Sequence, residues 1–423
     1  MSFSRYPKYK DSGVEWLGEV PESWERRKIA HAFERVGSGT TPPTGQDEWY
    51  SDGDIPWITT GELRETVITE TSKYVTAKAL EEFSTLRVYP AGSLAIAMYG
   101  ATIGRLGILG VSATTNQACC VLSGEISLSI RFTYFWLLAF KQQIIDLYAA
   151  GGGQPNINQE VIANFRVPAP TIGDQVTITV FLDRETAKMD ALVAEQEKLI
   201  AILKEKRQAV ISHAVTKGLD PSVPMKDSGV EWIGEVPEHW VVRRLKHCLT
   251  LITTKATKRE TPVALENIEG WSGRFINTES DFEGDGVGFS AGDILFGKLR
   301  PYLAKVYLAE FDGEAVGDFH VLRPANSMVG RFVQYQILSR DFIEIADSST
   351  FGAKMPRVGW DFLGNMMFLA SPLSEQTAIA TFLDRETVKI NSLTAEAERG
   401  IVLLKERRSA LISAAVTGKI KVA

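Results

Sequence analysis

A chain of 423 residues is long enough for two or three domains, each with a full-sized core. Its 44% hydrophobic and 23% charged content is ordinary for a globular protein and excludes a disordered or fibrous chain. A formal net charge of −6 withholds the basic balance of a lone nucleic-acid-binding domain, so any such binding would need local positive charge or partner subunits. The opening MSFSRYPKYKDSG lacks the apolar core of a signal peptide, and the most apolar run, Phe132 to Phe140, ends at Lys141, too short to cross a bilayer. The three cysteines (Cys119, Cys120, Cys248) show no CxxC spacing and read as small buried residues of a reducing, cytoplasmic protein.

In chain order, the first distinctive stretch is KDSGVEWLGEVPESWERRKI from Lys10, which returns from Lys226 as KDSGVEWIGEVPEHWVVRRL, displaced by 216 positions. Ser38 to Gln46 reads as a loop and Gly53 to Thr59 as a short strand between turns. Ser93 to Leu109 reads as a hairpin with glycines at the bend, and Phe132 to Tyr148 as a helix. From Gln175 to Thr216 there is neither Gly nor Pro. Leu182, Met189, Leu192, Leu199, Leu203 and Val210 recur there at the seven-residue or three-and-four spacing of a coiled-coil seam. The linker KGLDPSVPM, Lys217 to Met225, is polar and carries two prolines. In the second half, Gly292 to Phe311 repeats the strand–turn–strand pattern and Gly330 to Ala346 the helix.

The block from Phe181, FLDRETAKMDALVAEQEKLIAILKEKRQAVISHAVT, returns from Phe382 as FLDRETVKINSLTAEAERGIVLLKERRSALISAAVT, displaced by 201. Its seam is Leu383, Ile390, Leu393, Leu404 and Leu411, with Gly400 in the place of Leu199 and a locally looser helix expected there. A run of ~40 helical residues is about 60 Å long and cannot hold its stripe in water alone, so each copy is expected to pair with the other. Two equivalent helices, each preceded by a similar domain, close into a pseudo-two-fold pair when antiparallel. The expected architecture is therefore α+β: two mixed α/β globular domains (1–173 and 218–372) and two spacer helices (174–217 and 373–423). The segments between the repeats share a pattern but little sequence, a constant scaffold with variable payload.

Catalytic constellations are missing from the sequence. There is no GxxxxGK[ST] loop, no glycine-rich cofactor loop with an Asn/Asp-Pro-Pro-aromatic tetrapeptide, and no GxSxG or SxxK. The five histidines are scattered without HExxH spacing, so no catalytic residue and no metal site is assigned. Candidate base- and phosphate-contacting groups gather near the loops of the variable segments. In the first they are Thr59, Thr60, Arg105, Asn116, Gln117, Gln154 and Asn156; in the second, Lys255, Lys258, Arg259, Lys298, Arg300, Lys354 and Arg357. Asn and Gln can pair bidentately with adenine, and Arg with guanine.

The doubled order of variable segment and FLDRET helix resembles the specificity subunit of type I restriction–modification systems. The phrases KDSGVEWLGEVPESW, GDIPWITTGEL, ATIGRLG with TNQA, GDILFGKLRPYL and EQTAIATFLDRET carry the likeness, which covers nearly the whole chain. The resemblance implies two target recognition domains on double-stranded DNA, each reading one half of an asymmetric bipartite site. It also implies helices that space the halves and dock two modification (methyltransferase) subunits, with two restriction (translocase–nuclease) subunits completing the complex. S-adenosylmethionine, ATP and Mg2+ would then belong to those partners, and this chain would bind none of them. A non-DNA scaffold displaying two protein-binding domains is the competing reading, favoured slightly by the acidic balance.

Overall fold

The computed structural model describes residues 3–149, 156–256, 261–278, 286–352 and 354–422. The chain divides into two compact units, one of residues 1–195 with 400–423, the other of residues 196–399. The divisions fall inside two long helices, Ile172–Lys217 and Leu373–Val416, so each unit holds part of both.

In the first unit a five-stranded sheet runs in the order Phe33–Ser38, Cys119–Glu125, Leu94–Ala97, Leu106–Leu109, Val67–Ile68. Its pairs are antiparallel except the last. The expected hairpin is its centre, Leu94 facing Ile108. Helix Ile130–Tyr148, capped by the Ser129 hydroxyl on the Phe132 N–H, buries Phe132, Phe135 and Trp136 in the main core. The second unit repeats this plan with four antiparallel strands: Leu249–Ile252, Phe319–Pro324, Ile294–Gly297, Val306–Leu308. Its helix is broken where the sequence predicts one piece, into Gly330–Ile337 and Arg340–Ser348, because the Ser339 hydroxyl bonds back to the Gln336 carbonyl at 2.7 Å.

The repeated phrases are structural devices. In KDSGVEW the Asp11 carboxylate accepts from the Gly13 N–H (2.6 Å) and Asp227 from Gly229 (2.9 Å), each glycine at positive φ, 63° and 70°. A following turn, closed by the Trp24 N–H on the Pro21 carbonyl and the Trp240 N–H on the Pro237 carbonyl (both 2.9 Å), seats Trp24 and Trp240 in the two cores, fully buried. Each tryptophan lies beside the end of a long helix: Gly418 abuts Pro21 and Trp24, Gly218 abuts Trp240 and Pro237.

One buried glutamine anchors the start of each long helix. Gln175 donates to the carbonyls of Ser127 (2.9 Å) and Pro170 (3.0 Å) and accepts from the Ser129 N–H (2.7 Å). Gln376 does the same with Ser327 (3.0 Å), Ser371 (2.7 Å) and the Val329 N–H (2.7 Å). In FLDRET, Leu182 and Leu383 are buried, and the aspartate binds an arginine of the domain helix. Arg131 Nε reaches Asp183 at 2.9 Å, and Arg331 Nε reaches Asp384 at 2.7 Å.

The two helices run antiparallel within each unit. Ile178 and Leu182 share one core with Ile412, Ala415 and Val416; Ile211, Ala214 and Val215 share the other with Ile379, Ala380 and Leu383. Arg408 Nε pairs with Asp190 at 2.9 Å. The seam corrects the sequence reading in one respect. Leu182, Met189, Leu203, Leu383 and Ile390 are buried as expected, and Val210, Leu404 and Leu411 are half-buried. Leu192, Leu199 and Leu393 instead stand 51%, 42% and 50% exposed. The second line of the seam lies four residues after the first, through Thr186, Val193, Ile200 and Arg207, with Thr387 and Arg408 in the other helix. Two threonines and two arginines disguise that line, and the leucines three residues on imitate it. Gly400 lies on the imitating line, where a Cβ would meet nothing within 4 Å, and the helix continues through it.

Burial also sets the cysteine chemistry. Cys119 is buried, and desolvation, aided by Glu62, pushes its thiol up to about 12; burial raises Cys120 and Cys248 as well. All three thiols should therefore resist a disulfide reagent at pH 8 in the folded chain and react only with denaturant, measured by absorbance of the released thiolate. Leu203→Ala should lower stability by about 2–5 kcal/mol. Leu199→Ala, with the same atoms removed, should stay within about 0.5 kcal/mol. Denaturant titration of the two variants checks the seam.

Candidate nucleic-acid interface

In the first unit the sequence-selected residues converge on the loops at one end of the sheet. Strand Ile55–Ile58 pairs in parallel with Thr114–Thr115, and the Asn116 N–H donates to the Ile58 carbonyl at 3.0 Å, so Asn116 and Gln117 lie beside Thr59 and Thr60. Tyr99 forms a β-bridge with Asn156, and the Met98 backbone bonds both Ala118 and Ile157 at 2.8 Å. Thr59, Thr60, Asn116, Gln117 and Asn156 are thereby gathered on neighbouring loops. They differ in freedom. Thr59 is held by Glu62, its N–H donating at 2.8 Å and its hydroxyl at 3.2 Å. Thr60 opens the short turn that this contact closes. Gln117 is exposed and accepts from the Thr41 hydroxyl. Asn156 is exposed, and the buried Asn116 Oδ1 has no hydrogen-bond partner among the described residues. Arg105 is half-buried at the foot of the hairpin bend. Gln154 lies outside the described residues.

The second unit builds the same loops with different side chains, at an offset of 200 or 201. Lys298 takes the place of Met98: its N–H donates to Asp318 at 2.8 Å, and its carbonyl accepts from Val358 at 3.0 Å. Leu299 bridges Arg357 as Tyr99 bridges Asn156. Where the first unit has Ala118 and Asn156 at this end, the second pairs Asp318 with Arg357 bidentately, both bonds 2.9 Å. Buried Ser93 and Ser123 are likewise answered by Asp293 and Arg323, joined by two 2.7 Å bonds. Lys305, opposite Arg105, donates to the carbonyls of Leu265 (2.6 Å) and Ile268 (2.9 Å), and burial lowers its amine's pKa. Beneath the loop His320 lies between Phe296 and Trp360 and is held below the usual imidazole range by burial, so it stays neutral near pH 7.

These contacts sort the candidate cations. Arg357 is committed to Asp318 and its guanidinium holds the loop closed. Lys298 is half-buried; Arg300 and Lys354 are exposed on the same loop pair, Arg300 donating its N–H to the Pro356 carbonyl at 2.8 Å. Lys255 is exposed at a bridge with Val287, further along the second unit. Lys258 and Arg259 lie outside the described residues. Sequence reasoning missed the apolar members of this surface: Tyr302, Phe351 and Met355 are all exposed beside Arg300 and Lys354. Their signal was available, since GAKMP aligns with GGGQP of the first unit and carries larger side chains.

The backbone of the turn is unusual. Arg300 and Ala304 adopt left-handed conformations, φ 51° and 47°, where the first unit has Gly100 and Gly104 at 74° and 73°. A non-glycine residue in that region costs roughly 1–2 kcal/mol, and Pro301 restricts Arg300 further. Ala304 is buried and its carbonyl accepts from the Trp271 N–H at 3.0 Å, which offsets its cost. Arg300 has no such packing. Among the described residues no group of three or more His, Cys, Asp or Glu side chains could hold a metal ion, and no helix is long and apolar enough to cross a membrane.

Residues 21–201 match the family model of the type I restriction modification DNA specificity domain. The chain is similar to the MjaVIII type I restriction enzyme specificity subunit of Methanocaldococcus jannaschii, 23% identical over 422 residues, covering 95% of this chain and 94% of that one. It is also similar to the EcoDI specificity subunit of Escherichia coli, 23% identical over 320 residues, 70% of this chain and 71% of that one. Among solved structures it shares its fold with the HsdS subunit from Thermoanaerobacter tengcongensis, at a TM-score of 0.56 and 13% identity over 95% of this chain and 98% of that one. A chain from a study of complex assembly and conformational transition of the type I R-M system matches at a TM-score of 0.70 and 14% identity, over 95% and 99%. With the fold and the doubled scaffold beside these matches, the chain is similar over nearly its whole length to the specificity subunits of type I restriction–modification systems, and residues 21–201 carry the DNA specificity domain of that family.

Proposed function

We propose that this chain reads an asymmetric bipartite target in double-stranded DNA, one short block through the loops of each unit. The observation that carries the reading is the equivalence of the two loop sets: the same bridges and backbone bonds recur, while Tyr99 and Gly100 are exchanged for Leu299 and Arg300, and Ala118 and Asn156 for the Asp318–Arg357 clasp. A repeated frame with unlike side chains fits two readers of two different sequences, since base edges are discriminated by side-chain donors, acceptors and apolar groups. The polar first set suits adenine and phosphate contacts, and the cationic second set suits guanine and phosphate contacts.

The long helices are 46 and 44 residues, about 69 and 66 Å along their axes. Such lengths are commensurate with roughly two duplex turns of ~34–36 Å, which supports a role in setting the unspecified gap between the blocks. Two modification (methyltransferase) subunits dock on this scaffold in the proposed assembly and two restriction subunits complete it. S-adenosylmethionine, ATP and Mg2+ act on those partners. The acidic net charge of this chain is consistent with that division, since most phosphate neutralisation then comes from partner surfaces.

The test is co-purification with the neighbour-encoded methyltransferase and gel shift on duplexes carrying the motif methylated in the source cell. Scrambling either block should abolish the shift; indifference to DNA would favour a protein-binding scaffold. Replacing residues 25–150 with the equivalent segment of another specificity subunit should change one block and leave the other intact, read out by sequencing methylated DNA. Inserting whole helical turns after Ala194 should lengthen the gap, and a constant gap would refute the spacer role.

A further inference from the structure

We propose that Arg300 is a base-reading side chain of the second unit, its guanidinium forking onto one guanine of the block read there, with Phe351, Tyr302 and Met355 forming the dry rim of the contact. The inference deepens the bipartite reading above and rests on it. Three observations carry it.

The first is conformational. Arg300 is left-handed and precedes a proline, at a position where the first unit uses Gly100 in the same conformation. Glycine builds this turn without strain, so the backbone does not require an arginine, and the side chain has to justify its place by what it reaches.

The second is the state of the neighbouring cations. Arg357 is tied to Asp318, Arg323 to Asp293, and Lys305 to two carbonyls. Among the described residues the Arg300 side chain, exposed at the turn, makes no hydrogen bond or ion pair, so its fork of donors is unspent. A phosphate contact needs only a point charge, which Lys298 and Lys354 on the same loops supply. A planar fork matches the O6 and N7 acceptors of guanine in the major groove.

The third is the apolar surround. Phe351 is 66% exposed, Tyr302 47% and Met355 46%. Phe351 is hydrogen-bonded through its backbone to Arg357, next to the Pro356 carbonyl that accepts from Arg300. Exposed apolar groups beside an unpaired guanidinium exclude water from its hydrogen bonds and offer contact to a thymine methyl. An ordinary solvated surface has no use for this combination.

The experiment uses the complex of the full chain with its methyltransferase and compares wild type with Arg300→Gly and Arg300→Lys. Base preference at each target position is measured by selection from a randomised duplex library, salt dependence by titration, and folding by the Tm of each chain. Arg300→Gly should fold with an equal or higher Tm, because strain is removed. It should nevertheless lose roughly 5- to 150-fold discrimination at one guanine, within the block assigned to residues 218–372, with the other block unchanged. Arg300→Lys should lose the same preference while keeping the salt slope of the wild type. Retention of the guanine preference in either variant overturns the assignment. So does a uniform loss across sequences in Arg300→Gly with the salt slope reduced by about one, the mark of a phosphate contact. A wild-type complex with no base preference anywhere overturns the bipartite reading itself, and with it this assignment.

Discussion

A helix of more than forty residues cannot keep an apolar stripe in water, and nearly everything in this chain answers that constraint. Each long helix buries its first turns on the domain that precedes it, through a leucine of FLDRET and an aspartate bound to an arginine on the domain helix. It buries its last turns on the domain that follows in the repeat, beside Trp24 or Trp240 of the repeated VPESW and VPEHW phrases. Within the first unit Asp190 of one helix also pairs with Arg408 of the other. Gln175 and Gln376 matter most in this scheme, because each is wholly buried and fully hydrogen-bonded, so the helix start has one permitted position on its domain. A buried amide that loses its partners costs about 1–3 kcal/mol, which fixes position more sharply than apolar contact does.

That rigidity frees the loops to vary. The hairpin bend, the bridge that follows it and the return to the long helix keep the same backbone bonds in both units. The substitutions between them are made in pairs: Ser93 and Ser123 become Asp293 and Arg323, and Ala118 and Asn156 become Asp318 and Arg357. Paired exchange lets each introduced charge satisfy the other, so side chains on the loops can change without loosening the frame. Much of the positive charge on the second unit is thereby structural, and the number of cations available to DNA is smaller than the sequence count indicates. An acidic chain in the proposed role, reading DNA as one subunit of a larger assembly, is physically coherent on those terms.

The exposed Leu192, Leu199 and Leu393 gain meaning from the same frame. They imitate a seam in the sequence because a helix with apolar residues at both three- and four-residue spacing carries two candidate stripes. Only one can face the partner helix. The choice fell to the line containing Thr186 and Arg207, whose side chains reach the Leu182 carbonyl (2.7 Å) and the Trp271 carbonyl (2.6 Å). A propensity or hydrophobicity argument favours the leucines; hydrogen bonding favours the other line, Thr186 to a carbonyl one turn back and Arg207 to a carbonyl 64 positions away.

The sequence alone determined the doubled organisation, the two helices and their antiparallel pairing, the hairpins, and the likeness to a family of DNA-specificity subunits. These rest on periodicity and repetition, which are local and survive without coordinates. Tertiary structure decided which side of each helix is buried and which cations are spent. It turned Arg357 from a candidate reader into a loop clasp and left Arg300 strained and unpaired beside Phe351. Those distinctions depend on partners such as Asp318, 39 positions from Arg357, and on the sign of φ at one residue. Neither is written in the pattern of residues along the chain.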